Sequence, residues 1–276
     1  MNKSHFTVTI LVDNTTYTKG TLAEHGFSAL IEVLDKKILF DTGSTDILLK
    51  NSQILDKNLH SISCVALSHG HYDHTGGLSP LLARIKKEVQ VFAHPDIFSN
   101  HCSTAHGEKI TYAGIPVSRE ELERLGARFE FNDKPVEILP SVFLTGVIPR
   151  ENDFEDVDSA LCTDNLKPDP LLDDQSLFLT TDKGVIVITG CAHSGLVNTL
   201  EYIRQVSGKE ILAVLGGTHL IRAEKERIEK TVQYLKKLHL KAFIPCHCTG
   251  IRTLRYLHEA QPTPGYVGIS IGEQQL

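Results

Sequence analysis

Ser68-His69-Gly70-His71-Tyr72-Asp73-His74-Thr75-Gly76-Gly77 places three imidazoles and a carboxylate within six consecutive residues. Imidazole nitrogens and carboxylate oxygens together suit a divalent cation, zinc first, with manganese or iron as alternatives. On an extended backbone alternate residues face the same way, so the spacing predicts His69, His71 and Asp73 on one side. His74, at the turn into a helix, aims at a neighbouring position. Such a layout suits one cation, or two about 3.5–4 Å apart. Gly70, Gly76 and Gly77 let the backbone fold tightly around them. A cation held there lowers the pKa of a bound water toward about 7 and polarises a phosphoryl or carbonyl oxygen. Asp73 is also a candidate to hold or accept the proton of that water.

Three further histidines follow apolar runs in the second half and are flanked by small residues. His193 lies in Thr189-Gly-Cys-Ala-His-Ser-Gly195, His219 in Gly216-Gly-Thr-His-Leu220, and His247 in Pro245-Cys-His-Cys-Thr-Gly250. His193 is expected to bind metal. Cys191, two residues before it, is read instead as a small buried apolar residue, although a thiolate is a good zinc ligand. Cys246 and Cys248 point away from His247 on an extended chain and are read as core.

The elements that must carry these residues are legible from periodicity. Phe6, Val8, Ile10 and Val12 alternate with polar or small residues, a strand pattern. Phe27 to Leu34 and Lys37 to Asp41 predict a hairpin turning at Asp35-Lys36. A short helix runs through Ile47, Leu48 and Leu49. Ser63 to Ser68 is a short buried strand leading into the histidines. Leu78, Leu81, Leu82 and Ile85 give a helix one apolar face, and Val89 to Ala93 is the next strand. Residues 94–140 are less regular, with a helix near Glu120 to Leu125 and a strand at Val136 to Leu139. Residues 150–174, rich in Asp, Asn and Pro, read as a long functional loop. Gln175 to Thr180 and Val185 to Thr189 form a second hairpin. A helix from Leu196 to Val206, a strand from Ile211 to Leu215, a helix from Glu224 to Leu238 and a strand from Ala242 to Pro245 follow. Both halves run hairpin, helix, strand, which predicts two sheet-plus-helix layers face to face. With no linker the chain is read as one domain, 1–276. Its pseudo-halves are about 1–140 and 141–276, with irregular loops around 94–135 and 150–174.

Hydrophobic residues at 41% and charged residues at 22% exclude a disordered chain. No run approaches the roughly 18 apolar residues of a membrane span. A net charge of −6 argues against dedicated nucleic-acid binding. The first residues lack the features of an export signal. Six cysteines in 276 residues are no disulfide scaffold, so free thiols and a cytoplasmic location are expected.

The His-x-His-x-Asp-His pattern of residues 69–74 resembles the signature of the metallo-β-lactamase superfamily. Leu39-Phe-Asp-Thr-Gly43 is similar to its first motif. That resemblance implies an α/β fold, the αββα four-layer sandwich of two mixed sheets flanked by helices. It implies that Asp41 orients the histidine loop and that His247 is the last ligand. The family's histidine before the second hairpin and its bridging Asp in Thr-Gly-Asp are missing. Asp173-Asp174-Gln175 and Thr189-Gly-Cys191 stand in their places, so His193, Asp174 or Cys191 takes over. These stretches, with TGCAHSGLVNTL, GGTHL, CHCTG and Thr145-Gly-Val-Ile-Pro-Arg150, resemble one subfamily from about residue 6 to 274. It is the group named for 7,8-dihydropterin-6-methyl-4-(β-D-ribofuranosyl)aminobenzene-5′-phosphate synthase of the methanopterin pathway.

The resemblance implies a metal-dependent, hydrolase-like enzyme acting on a phosphate-bearing small molecule. Its alternative is a transferase condensing a dihydropterin pyrophosphate with a ribofuranosylaminobenzene phosphate. Arg150 and His219 are then candidate phosphate contacts. An alternative of another class is a metal-containing binding or sensing module with little turnover. The superfamily's di-iron oxidoreductases typically carry Glu where this chain has His71.

Overall fold

A computed structural model describes residues 6–104 and 109–276. Residues 105–108, within the irregular first-half stretch, and the N-terminal residues 1–5 lie outside the described residues. In chain order the first elements are β1 (Phe6–Val12), β2 (Ser28–Val33), β3 (Lys36–Phe40), α1 (Ile47–Ile54), β4 (Cys64–Ala66), α2 (Tyr72–Thr75) and α3 (Leu78–Ile85). Then come β5 (Val89–Ala93), β6 (His101–Ser103), β7 (Thr111–Tyr112), α4 (Arg119–Arg124), β8 (Ala127–Phe131), β9 (Val136–Leu139), β10 (Val142–Leu144) and β11 (Leu161–Thr163). The last are β12 (Ser176–Thr180), β13 (Val185–Thr189), α5 (Leu196–Ser207), β14 (Ile211–Gly217), α6 (Lys225–Leu238), β15 (Ala242–Cys246) and β16 (Ser270–Gly272).

A seven-stranded sheet runs β16-β1-β2-β3-β4-β5-β8, and a six-stranded sheet runs β15-β14-β13-β12-β10-β9. Period-2 alternation sorts their side chains. Ala29, Ile31, Ile38 and Phe40 face Ile186, Ile188 and Leu215 in a core between the sheets. Leu30 and Leu39, on the opposite face, pack under Leu48 of α1 and the apolar stripe Leu78, Leu81, Leu82 and Ile85 of α3. On the other sheet Val185, Val187 and Val214 pack under Leu196, Leu200 and Ile203 of α5 and Ile228, Val232 and Leu235 of α6. Four layers result, helix, sheet, sheet, helix. Both faces of the central strands are covered, which is why they read as near-continuous apolar runs. Each fully buried Leu or Ile contributes about 1.5–3 kcal/mol relative to exposure.

Two sequence readings shift. β9 falls before residue 140 yet joins the second sheet, and β16 returns from the C-terminal end to the edge of the first. The halves therefore exchange edge strands. Within the stretches read as irregular, β6, β7 and β11 form a three-stranded sheet, and β8 joins the first sheet. β6 and β11 have three residues each and β7 has two, too few to show a period.

β3 runs parallel to β4, and β13, β14 and β15 run parallel to one another. Their carboxyl ends deliver residues 41, 67–77, 190–195, 218–219 and 247, the stretches singled out by their chemistry.

Candidate metal centre

Past β4 the chain bends at Ser68 and Gly70, reaches an extended His71, and then enters α2. The side-chain period changes there from two to 3.6, and this splits the first cluster. His69 Nε2 lies 3.0 Å from His71 Nδ1 and 3.2 Å from His193 Nε2. Asp73, expected beside His69 and His71, turns instead toward the other group. Its Oδ2 is 3.7 Å from His74 Nε2 and 3.4 Å from His247 Nε2, and those two nitrogens are 3.2 Å apart. Donors bonded tetrahedrally at about 2.0–2.1 Å stand about 3.3–3.4 Å from one another, and the 3.0–3.7 Å separations in the two groups bracket that spacing.

The surrounding hydrogen bonds fix which nitrogens carry protons. Ser68 Oγ donates its one proton to Asp41 Oδ2 at 2.7 Å, so it accepts from His69 Nδ1 at 2.8 Å. Asp41 Oδ2 also accepts from His74 Nδ1 at 2.7 Å, and its Oδ1 from the Ser68 N–H at 2.7 Å. Asn14 Oδ1 accepts from His247 Nδ1 at 2.9 Å. Nε2 of His69, His74 and His247 is left as a bare lone pair aimed inward. Lone pairs facing one another at such distances repel unless a cation lies between them. The donor set therefore fits a divalent metal, with the outward N–H groups oriented as metal-binding histidines require.

The electrostatics agree. Burial, reinforced by neighbouring imidazoles, holds His69 and His193 well below the ordinary histidine range. Burial brings His71 down to about 4. These rings are neutral, the form that ligates. Burial opposes ionisation of Asp73, but His74, His247 and His25 outweigh it and hold the carboxylate well below its usual range. Burial also opposes charge on His247, yet its bond to Asp73 pushes it up to about 9. That spot favours positive charge.

Cys191, read as a core thiol, also borders both donor groups. It is buried, but its Sγ lies within 4.8 Å of the ligand nitrogens of His69 and His193 and also of those of His74 and His247. His74 Nε2 is 3.2 Å from it. Beyond β13 the chain turns, with Ala192 at a φ of 56°, and the turn brings residues 191 and 193 into one donor group. Reach along the side chain does not separate them.

Asp41 sits in neither donor group and braces His74 and Ser68 from behind. Asp174 is likewise no donor to either group. Its Oδ2 accepts the Ser194 N–H at 2.8 Å, which anchors the turn carrying His193. Burial pushes Asp174 up to about 6. Arg150 is turned to backbone carbonyls, with Nη1 3.3 Å from Glu155 O and Nη2 3.0 Å from Pro170 O. It straps the 150–174 segment rather than facing the donor groups. His219 lies against His193 in a tilted contact, with ring centroids 4.2 Å apart, and its Nε2 bonds Asp158 Oδ2 at 2.9 Å.

Several site residues escaped the sequence reading. Asp13 and Asn14, at the end of β1, hold the His247 backbone N–H at 2.8 Å and its ring at 2.9 Å. His25 Nε2 reaches Asp73 Oδ2 at 3.1 Å. Cys248, read above as core, is buried and also joins Cys191 and His219 in a further donor group. Asp173 accepts the Gly70 N–H at 2.7 Å between the two loop histidines. Isolated Asp, Asn and His residues in loops carry no spacing signal. The available cue was position, since each closely precedes or follows a predicted strand.

Residues 23–202 match the sequence profile of the metallo-beta-lactamase superfamily. This chain belongs to that superfamily, and it is an enzyme. It is 36% identical over 256 residues to 7,8-dihydropterin-6-methyl-4-(β-D-ribofuranosyl)-aminobenzene-5′-phosphate synthase of Methanocaldococcus jannaschii, covering 88% of this chain and 87% of the relative. An uncharacterized protein of the same organism is 35% identical, covering 96% of this chain and 99% of that one. Among solved structures, a metal-dependent hydrolase of the beta-lactamase superfamily superposes with a TM-score of 0.83 at 31% identity. That match covers 97% of this chain and 98% of the other.

Proposed function

We propose that this enzyme condenses two phosphate-bearing small molecules, a dihydropterin pyrophosphate and a ribofuranosylaminobenzene phosphate, with release of pyrophosphate. The observation that carries this is the 36% identity to the synthase over 88% of the chain. It moves the transferase ahead of the hydrolase expected from the motifs. Hydrolysis of a phosphate ester is the second reading, favoured by the solved relative described as a metal-dependent hydrolase.

His69, His71 and His193 would hold one divalent cation, and Asp73, His74 and His247 a second, with Cys191 within reach of both. The nitrogen-rich donor set favours zinc. Bound there, the cations would supply positive charge to the oxygens of a pyrophosphate leaving group. Asp41 and Ser68 keep His69 and His74 in the ligating tautomer. The partners in this reading are small molecules, and the location is cytoplasmic. Among the described residues no helix is long and apolar enough to cross a membrane.

Zinc-loaded protein incubated with both substrates should give pyrophosphate and the coupled product, resolved by mass spectrometry. Pyrophosphate or phosphate release from one substrate alone, undiminished when the other is withheld, would replace this reading with the hydrolase. No turnover of either by metal-loaded protein would point to a binding module.

A further inference from the structure

The Cys191–His219–Cys248 group differs from the two histidine groups in the origin of its donors. Each histidine group draws on both sheets. This one draws on the second sheet alone, from the chain just past β13, β14 and β15, which run side by side and parallel. Its three ligand atoms lie within 4.8 Å of one another. Cys191 and Cys248 are 3% and 7% exposed, and the His219 side chain is 10% exposed.

The loops that carry the group are tied together. The Ile221 N–H donates to Cys248 O at 3.1 Å, Thr218 Oγ1 donates to Thr249 Oγ1 at 2.9 Å, and the His219 N–H donates to Cys248 Sγ at 3.2 Å. His219 and His247 both take the left-handed conformation, at φ of 48° and 50°. Residues with a Cβ seldom adopt it, and they hold it where the fold must aim a side chain. Gly217 leaves the sulfurs their room. A Cβ there would lie 2.6 Å from Cys248 Sγ and 3.1 Å from Cys191 Cα.

The imidazole is braced as a metal-bound one is. His219 Nε2 bonds Asp158 Oδ2, which Arg222 also holds, while Asp158 Oδ1 accepts the Ala160 N–H at 2.9 Å. A carboxylate behind the outer ring nitrogen orients a ligating histidine. Nδ1 is the nitrogen left over, and it is buried with no hydrogen-bond partner among the described residues. An unpaired buried polar atom costs about 1–3 kcal/mol, and a cation at this spot would satisfy it. Asp158, His219 and Arg222 also line a cavity of about 250 Å³, so an ion has a path on the His219 side.

We infer that Cys191, His219 and Cys248 form a binding site for a soft monovalent cation, copper(I), held by two thiolates and one imidazole. Soft thiolate sulfur favours copper(I). Three donors complete the shell of copper(I), whereas a structural zinc takes four protein ligands. Each thiol gives up its proton as the metal binds. The site does not depend on how the substrate is read. It shares Cys191 with the histidine groups, so copper(I) and zinc compete for that one sulfur.

Zinc-loaded protein given one equivalent of copper(I) without oxygen should bind it, and the copper X-ray absorption spectrum should show two sulfurs and one nitrogen. Cys248→Ser and Cys248→Ala leave the histidine groups intact. Both should keep the zinc content of the wild type and weaken copper(I) binding roughly a hundredfold or more, in competition with a chromogenic copper(I) chelator. His219→Gln should remove the nitrogen from the spectrum. Asp158→Asn, which keeps all three donors, should weaken binding about tenfold. A wild-type spectrum with one sulfur or none, or copper(I) affinity unchanged in the Cys248 variants, overturns the site. So does copper(I) uptake that empties both histidine groups of zinc and leaves nitrogen ligands only. Should the Cys248 variants fail to fold, the wild-type spectrum decides alone.

Discussion

The Cys191 sulfur lies within 4.8 Å of the ligand nitrogens of both histidine groups, a position from which one donor serves two cations. Burial pushes this thiol well above its ordinary range, and coordination is what would deprotonate it. Cys191→Ala should therefore lower the zinc content from roughly two equivalents to about one or fewer. Cys191→Asp, with a carboxylate in the same place, should retain both, as read by elemental analysis of chelator-free preparations. His193→Ala should empty the His69–His71 group while leaving the other filled. Full zinc content in Cys191→Ala would return the sulfur to a packing role. Asp41 acts one step back. Asp41→Asn offers His74 and Ser68 a weaker acceptor, and zinc affinity should fall roughly 10–100-fold in a competition titration.

The strand ends of the two sheets meet at Gly190. A Cβ there would lie 2.1 Å from Ser68 Oγ and 2.9 Å from Asp41 Oδ2. Neither group can retreat without breaking the network that orients His69 and His74. Gly190→Ala should cost roughly 1–3 kcal/mol in denaturant unfolding and lower zinc uptake together. A variant that loses stability but keeps its zinc affinity would show that the strand ends and the centre are independent. The small sheet of β6, β7 and β11 carries a second strut. His101 on β6 bonds Asp169 at 2.6 Å, approaches Asp173 at 3.4 Å and meets His71 edge to face, with ring centroids 5.3 Å apart. Burial disfavours its charge, but the two carboxylates prevail and push it up to about 10 from 6.5. A raised folded-state pKa means stabilisation that is complete below about 6.5 and lost as the pH climbs through about 10. The stability gap between wild type and His101→Gln, from urea titrations, should shrink across that interval. A gap that widens with pH would mean the ring folds neutral.

Across the molecule the donors divide between the sheets. Residues 69–74 follow β4 of the first sheet, while Cys191, His193 and His247 follow β13 and β15 of the second. A cation held by both bridges the sandwich and stabilises it by linkage. At a free metal concentration of 100 times Kd that is about 2.7 kcal/mol, and chelation should lower Tm by roughly 5–10 °C. An unchanged Tm after complete metal removal would mean the sheets hold the centre without its help. All six cysteines are free. Denatured, unreduced protein should titrate six thiols, and a stable disulfide would contradict the proposed cytoplasmic location.

Much of this was written along the chain. The buried strands at 28–33, 89–93 and 185–189 show because side-chain period and burial are local properties. The cluster at 69–74 shows because its donors are neighbours in sequence. From those residues the superfamily and its four-layer sandwich follow. Which donors share a cation is not local. His193 and His247 meet His69 and His74 across two sheets. Asp73 changes partners because α2 begins one residue earlier. Cys191 is a ligand candidate as well as a buried residue because the chain leaving its strand passes beside His74. His25 and Asn14 have no motif of their own, and their bonds to Asp73 and His247 close only when the loop after β1 packs against α2 and the end of β15. Sequence determined the elements and the chemistry at their ends. Tertiary packing alone decided the pairing of those ends, because contacts between distant segments are set by how two sheets stack and by nothing in either segment alone.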